Sequence, residues 1–342
     1  MHYSNVKFGI FTDLHLDIMH DGRIRPVSYT HLTLPTIMHD GRIRLDTFIE
    51  QMKKEDVDFI IQLGDFCYPE DTSKCLCSEK NIPINLKNAM RVPADVPKIE
   101  LLEKFNKFFK PHYHVLGNHE FDFCSKEQAM KLYGMDKRYY SFICKGWKFL
   151  VLDGNNFKTK TGEIKDYYYG DYFDSEDLPY IDSKQMEWIE KELLESDMPI
   201  IIFSHQPLNE GPRGIKNADE LSNLFIEANR SGKKVRLCIN GHTHVDRLEC
   251  DKGVYYYTLN SMSNHWIGTK FAKHRFSDEI EEAFPNLQYT FPYKSPLYAV
   301  VELNSKGAYI KGKSGEFIKP SPLDMGCDED LSASIKDREI LW

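Results

Sequence analysis

The chain has 342 residues, 41% of them hydrophobic and 13% aromatic, which suits one large or two ordinary domains and excludes disorder as the dominant state. Forty-four Lys and Arg against 52 Asp and Glu give a formal charge of −8, which argues against a surface built to neutralise a long nucleic-acid backbone and leaves a small, metal-held anion open. No apolar run approaches the roughly 18–20 residues that cross a bilayer, and residues 1–11 lack the basic start and apolar stretch of a signal peptide, so a cytoplasmic protein without a membrane partner is expected.

In chain order, the first predicted element is a strand over Val6–Phe11 that breaks off into Thr12-Asp13-Leu14-His15. A repeat follows: Ile18-Met19-His20-Asp21-Gly22-Arg23-Ile24-Arg25 recurs letter for letter as Ile37-Met38-His39-Asp40-Gly41-Arg42-Ile43-Arg44. Between the copies, residues 27–36 resemble one reading frame of a transposase adaptor used in preparing sequencing libraries. The segment 18–44 is therefore expected to contain an artefactual insert of 19 residues (37 − 18), excluded from the fold. Leu45, Phe48, Ile49 and Met52 then make the i, i+3, i+4, i+7 stripe of a helix. Val57–Leu63 reads as a strand ending in Gly64-Asp65, and 68–97, proline-bearing and containing Cys75-Leu76-Cys77, as a rim insertion. The eight cysteines are not spaced as a disulfide framework or as zinc knuckles.

Leu102, Phe105 and Phe109 mark the next helix, and His112–Leu116 a strand that runs into Gly117-Asn118-His119-Glu120. Ser125 with Gln128 makes a capping box, with Gly134 placed to end that helix. Trp147–Leu152 has strand character, 157–179 reads as a second rim insertion, and Met186, Ile189 and Leu193 follow a cap at Asp182 or Ser183. Pro199–Phe203 runs into Ser204-His205, Ala218, Leu221, Phe225 and Ala228 mark a helix, and Val235–Ile239 runs into Asn240-Gly241-His242-Thr243-His244. Strands over Val254–Leu259, Leu297–Leu303 and Ala308–Ile310 complete the pattern, with a third rim insertion at 264–296. Residues 321–342 are expected to form a weakly structured tail.

Near-continuous apolar strands alternating with helices predict an α/β protein with a largely parallel sheet system, whose functional loops gather at the strands' carboxyl ends. The polar clusters fall there, and their carboxylates, imidazoles and amide are donors for divalent ions. Each motif alone is weak; the ordered set is specific.

That set, Asp-x-His, Gly-Asp, Gly-Asn-His-Glu, a late His and Gly-His-x-His, resembles the motif series of the calcineurin-like metallophosphoesterases from Lys7 to about Leu259. The resemblance implies one domain over 1–320, a two-sheet β-sandwich flanked by helices in four α/β/β/α layers. It implies two divalent ions of manganese, iron or zinc: Asp13, His15 and His244 would hold one, Asn118, His205 and His242 the other, and Asp65 would bridge. It further implies in-line hydrolysis of a phosphodiester, diphosphate or monoester of a small, nucleotide-like substrate by a metal-bridging hydroxide. His119 would protonate the leaving oxygen or bind the phosphoryl group.

Tyr68, three after Asp65, is similar to the Gly-Asp-x-x-Tyr of purple acid phosphatases, yet His15 stands where that branch has Gly, so no iron–tyrosinate site is expected. The pattern is closer to the branch of cyclic-nucleotide phosphodiesterases and ADP-ribose/CDP-alcohol diphosphatases, whose Gln-x-x-Trp helix is matched by Gln185-Met186-Glu187-Trp188. Arg213 and Lys216 could meet a second phosphate or be solvated. Asn264, His265 and Trp266 could supply a stacking wall or a packed rim. A nuclease of the same family and a silent scaffold keeping the fold are the competing functions.

Overall fold

A computed structural model describes residues 4–16, 41–68, 74–78, 82–84, 87, 98–209, 211, 213–230, 232, 234–327 and 331–342. The strands of the two main sheets are, in the first half, β1 (Val6–Phe11), β2 (Phe59–Gln62), β3 (His112–His114), β4 (Tyr140–Cys144) and β5 (Trp147–Val151). Those of the second half are β6 (Pro199–Phe203), β7 (Lys234–Asn240), β8 (Arg247–Asp251), β9 (Val254–Thr258), β10 (Ala299–Asn304), β11 (Gly307–Lys311) and β12 (Arg338–Leu341). The principal helices are α1 (Gly41–Glu55), α2 (Lys98–Asn106), α3 (Lys126–Tyr133), α4 (Ser183–Glu195) and α5 (Ala218–Arg230).

Two six-stranded sheets run in the orders β12-β11-β10-β1-β2-β3 and β8-β9-β7-β6-β5-β4. Their centres are parallel, β1 with β2 and β3 in one, β9, β7, β6 and β5 in the other. Antiparallel strands border each centre, so the sheets are mixed. Side-chain alternation then sorts each strand between two cores. Phe8 and Ile10, with Phe59 and Ile61, face Phe149, Ile201, Phe203 and Ile239 in the seam between the sheets. There the Phe8 ring stands edge-on to Phe149 at 6.0 Å and to Phe203 at 5.6 Å. On the outer face of the first sheet, Phe11 and Ile60 pack with Leu45, Phe48, Leu102 and Phe105 of α1 and α2. On that of the second, Leu150, Ile200 and Ile202 pack with Ile189, Leu193, Leu221 and Phe225 of α4 and α5. This is the α/β/β/α layering expected, and each fully buried side chain of this size contributes about 1.5–3 kcal/mol.

Helix ends follow local chemistry. Ser125 caps α3 in a full capping box and Gly134 ends it in the left-handed conformation; the Asp182 side chain accepts from Gln185 N at the start of α4. Phe109, read as the continuation of a helical stripe, lies beyond the end of α2 and is 58% exposed. The proposed insert falls mostly on residues 17–40, outside the described residues; Gly41-Arg42-Ile43-Arg44, the end of the second repeat copy, opens α1. Arg44 is fully buried and donates to Met262 O at 3.1 Å and to Tyr293 O.

The tail differs from the expectation. Arg338–Leu341 adds an edge strand to β11, Ile340 is buried, and Trp342 meets Trp147 at 5.8 Å. Four residues are too few for alternation to stand out among acidic neighbours. Of the rim segments, 157–179 includes most of a hairpin of Asn156–Lys158 with Ile164–Asp166. Residues 264–296 hold one of Asn264–Trp266 with Thr290–Pro292, and 68–97 is described only in part. No helix among the described residues is long and apolar enough to cross a membrane.

Candidate metal centre

The loops leaving β1, β2, β3, β6 and β7 meet at one end of the sandwich, and five of their side-chain bearers have left-handed backbones: Asp13 (φ 53°), His15 (48°), Asp65 (52°), His242 (69°) and His244 (54°). A residue with a Cβ pays roughly 1–2 kcal/mol for this conformation, which persists only where the surroundings over-determine it. Here they do. Asp13 N donates to Gly64 O at 3.0 Å, His15 N to Asp65 O at 2.9 Å, and His242 N to Asp13 Oδ2 at 3.0 Å. Gly64 itself turns at φ 99°, whereas Gly117 and Gly241 permit close approach: a Cβ on the first would strike Asp65, on the second Thr12 and Asp13.

Two donor clusters result. The ligand atoms of Asp13, His15 and His244 lie within 4.8 Å of one another, as do those of Asp65, His205 and His242. In the first, His15 Nε2 is 3.2 Å from His244 Nε2, which is 3.2 Å from Asp13 Oδ1. In the second, His205 Nε2 is 3.1 Å from Asp65 Oδ2 and 3.2 Å from His242 Nδ1. The clusters touch through Asp65, whose Oδ2 is also 3.8 Å from His15 Nε2. Asn118 lines the same cavity, and its Oδ1 is buried without a hydrogen-bond partner. Two ring tautomers are set from behind: His205 Nδ1 donates to Leu63 O at 2.8 Å and His244 Nδ1 to Asn264 O at 2.7 Å, leaving each Nε2 toward the clusters.

Burial opposes ionisation of Asp13 and Asp65, yet the imidazoles around them hold both carboxyls well below the usual range, His244 first for Asp13 and His205 first for Asp65. Burial likewise lowers His205, but Asp65 reverses the direction and raises it to about 9. At His242 burial prevails, aided by His205, and the pKa falls.

Behind the clusters lies a support that sequence reasoning only partly anticipated. Glu120 Oε2 accepts from Asp65 N at 3.0 Å and Gly117 N at 2.6 Å, and its Oε1 from Phe66 N and Tyr133 Oη, both at 2.7 Å. It thereby locks the loop after β2 to the loop after β3. Burial and the Asp65 carboxylate push its pKa up to about 7. Asp122, unnoticed in the sequence, is fully buried; its Oδ2 is 2.7 Å from His119 Nδ1 and its Oδ1 accepts from Tyr172 Oη at 2.5 Å. Burial lowers His119, but Asp122 and then Asp65 outweigh it and raise the pKa to about 10. The spacing of Asp122, three residues after His119, was the available signal. Gln185 is structural: its amide brackets Asp153, accepting from N at 2.9 Å and donating to O at 2.7 Å.

A cavity of about 400 Å3 opens over the clusters, lined by His15, Asp65, Asn118, His119, His242 and His244 on one side and by Tyr167, Tyr172, Phe173 and Leu178 on another. Arg213 and Trp266 also line it. Asn264 and His265 do not: Asn264 is fully buried and holds His244 from behind, and His265 Nδ1 is 3.0 Å from His244 O. Tyr68 is buried beside Cys77 and Phe123, its ring edge-on to His119 at 5.9 Å.

The family model of the calcineurin-like phosphoesterases matches residues 6–246. A dimetal phosphatase from Danio rerio is similar in structure at TM-score 0.58 and 15% identity, covering 92% of this chain and 98% of that one. GAP50, the anchor in the inner membrane complex of Plasmodium, is similar at TM-score 0.49 and 14% identity, covering 98% and 89%. Yfce, a phosphoesterase from E. coli, is similar at TM-score 0.36 and 10% identity, covering 92% and 100%. No curated protein matches the chain in sequence.

Proposed function

The chain belongs to the calcineurin-like phosphoesterase family, and on that premise we propose that it is a dinuclear-metal phosphohydrolase of small, nucleotide-like phosphodiesters, diphosphates or monoesters. One observation carries the reading: two three-residue donor clusters, each within 4.8 Å, with Asp65 of the second reaching to 3.8 Å from His15 of the first. The donor set fits metal. Asn118 Oδ1 is a buried oxygen without a hydrogen-bond partner, and in the neutral tautomer that a metal ligand needs, the carbonyls behind His205 and His244 take the Nδ1 protons and leave each Nε2 as the donor facing the clusters.

In this reading Asp13, His15 and His244 would hold one ion, Asn118, His205 and His242 the other, and Asp65 would serve both. Manganese, iron or zinc suits these mixed N and O donors and, when bound, supplies Lewis-acid activation of water and of the phosphoryl group. The remaining work belongs to side chains. His119, held at Nδ1 by Asp122, would offer its Nε2 proton to the leaving oxygen, and against burial the Asp122 carboxylate favours the protonated ring. Tyr172 fixes Asp122 in turn, and the wall of Tyr167, Tyr172 and Phe173 excludes bulk water from one side of the cavity. Arg213 and Trp266, which also line the cavity, would face the substrate.

The test is a panel of p-nitrophenyl phosphate, bis(p-nitrophenyl) phosphate and nucleotide diphosphate esters, offered to protein loaded with manganese, iron or zinc. Hydrolysis abolished by chelation is expected. A panel untouched with all three metals would contradict the reading.

A further inference from the structure

A second cavity, about 570 Å3, adjoins the first, and Arg213 and Trp266 line both. Arg247 and Lys270 face it as well, so three cations border one space; among the described residues no carboxylate does. This is notable on a chain of net charge −8, whose average surface should repel anions. Arg247 stands 3.6 Å from Glu249, an open pair that leaves it free to bind elsewhere, and Lys270 Nζ lies 4.8 Å over the Phe271 ring.

Arg213 occupies the boundary between the cavities on a tight turn, where Gly214 N donates to Gly211 O at 3.1 Å. Its own φ is 64°, a left-handed conformation that the turn imposes. A Cβ at Gly214 would strike Asn209 O, so the turn is closed tightly around the arginine. A guanidinium at that point can face two anions at once, one on each side.

We propose that the second cavity is a subsite for another phosphate group of the same substrate, so that the preferred substrate is a phosphoester carrying a second phosphate beyond the reacting phosphorus. The proposal rests on reading the first cavity as the phosphoester site. Arg213 spans the two phosphates, Arg247 and Lys270 hold the distal one, and Trp266 offers a flat face between them.

A matched pair of probes tests it: p-nitrophenyl propyl phosphate and p-nitrophenyl 3-phosphopropyl phosphate, which differ only in the distal phosphate. The metal-loaded protein should prefer the second by about tenfold or more in kcat/KM, through KM, as three charge-assisted contacts allow. Lys270→Glu and Arg247→Ala should each reduce that preference severalfold, with the folded state checked by melting. A preference near unity in the parent, or one unchanged in both variants, overturns the subsite. Hydrolysis of neither probe would overturn the metal-centre reading instead. Pyrophosphate binding to metal-stripped protein, read as quenching of the fluorescence that Trp266→Phe removes, then decides the subsite: quenching weakened by Lys270→Glu supports it, and no quenching overturns it.

Discussion

His119 Nδ1 stands 2.7 Å from Asp122 Oδ2, and the two residues are joined through one short turn that opens directly from Asn118. A single turn therefore places a cavity-lining amide oxygen, an imidazole and the carboxylate that orients it. Asp122→Asn should leave metal content intact and lower kcat by about 10–100-fold for alkyl leaving groups, with far less effect on p-nitrophenolate, which needs no proton. His119→Asn should show the same split, more strongly. Equal losses on both classes of substrate would mean that the pair only supports the loop.

Glu120 accepts four hydrogen bonds, all from N–H or O–H donors. Glu120→Gln sets an amide donor against two of them, and should cost about 2–4 kcal/mol in urea unfolding. An unchanged unfolding midpoint would show that the loops after β2 and β3 are held otherwise.

Away from the site, Glu55 ends α1 between Lys311 at 2.7 Å and Lys7 at 2.8 Å. Lys311 first, then Lys7, hold its carboxyl down from 4.5 to about 2. A depressed folded-state pKa contributes stability that is complete above 4.5 and lost as pH falls toward 2. With solvent around both lysines screening the pairs, Glu55→Gln should cost about 0.5–1 kcal/mol at pH 7 in metal-free protein and progressively less below pH 4.5. A cost that is the same at pH 7 and pH 3 contradicts the assignment.

Both repeat copies end in Gly-Arg-Ile-Arg, the residues that open α1. Deleting 18–36 therefore preserves the helix start and a buried arginine at the position of Arg44. The shortened chain should match the full one in melting temperature and turnover; a clear loss of either would make the segment functional.

Most of the candidate metal-centre motifs were legible because they follow an apolar strand buried on both faces, as at Val6–Phe11 before Asp13 and Pro199–Phe203 before His205, although His112–His114 before Asn118 is polar and half-buried. Such runs carry their own boundaries. What the sequence concealed depends on long-range partners. β4 alternates half-buried with exposed residues, and β12 has one buried residue in four, so neither offers a period long enough to read. Asn264 looked like a rim residue and proved to be a strut behind His244, a role fixed by its backbone carbonyl and hence invisible in its side chain.

The most direct test of the account is a manganese titration of chelator-stripped protein, followed by bis(p-nitrophenyl) phosphate hydrolysis and by metal bound per chain. Activity should rise only as the second equivalent binds, and Asp65→Asn should weaken both sites and remove most turnover, because a neutral amide bridges two cations poorly. Full activity at one equivalent, or an Asp65→Asn protein that binds two ions as the parent does, would contradict a dinuclear centre bridged by Asp65.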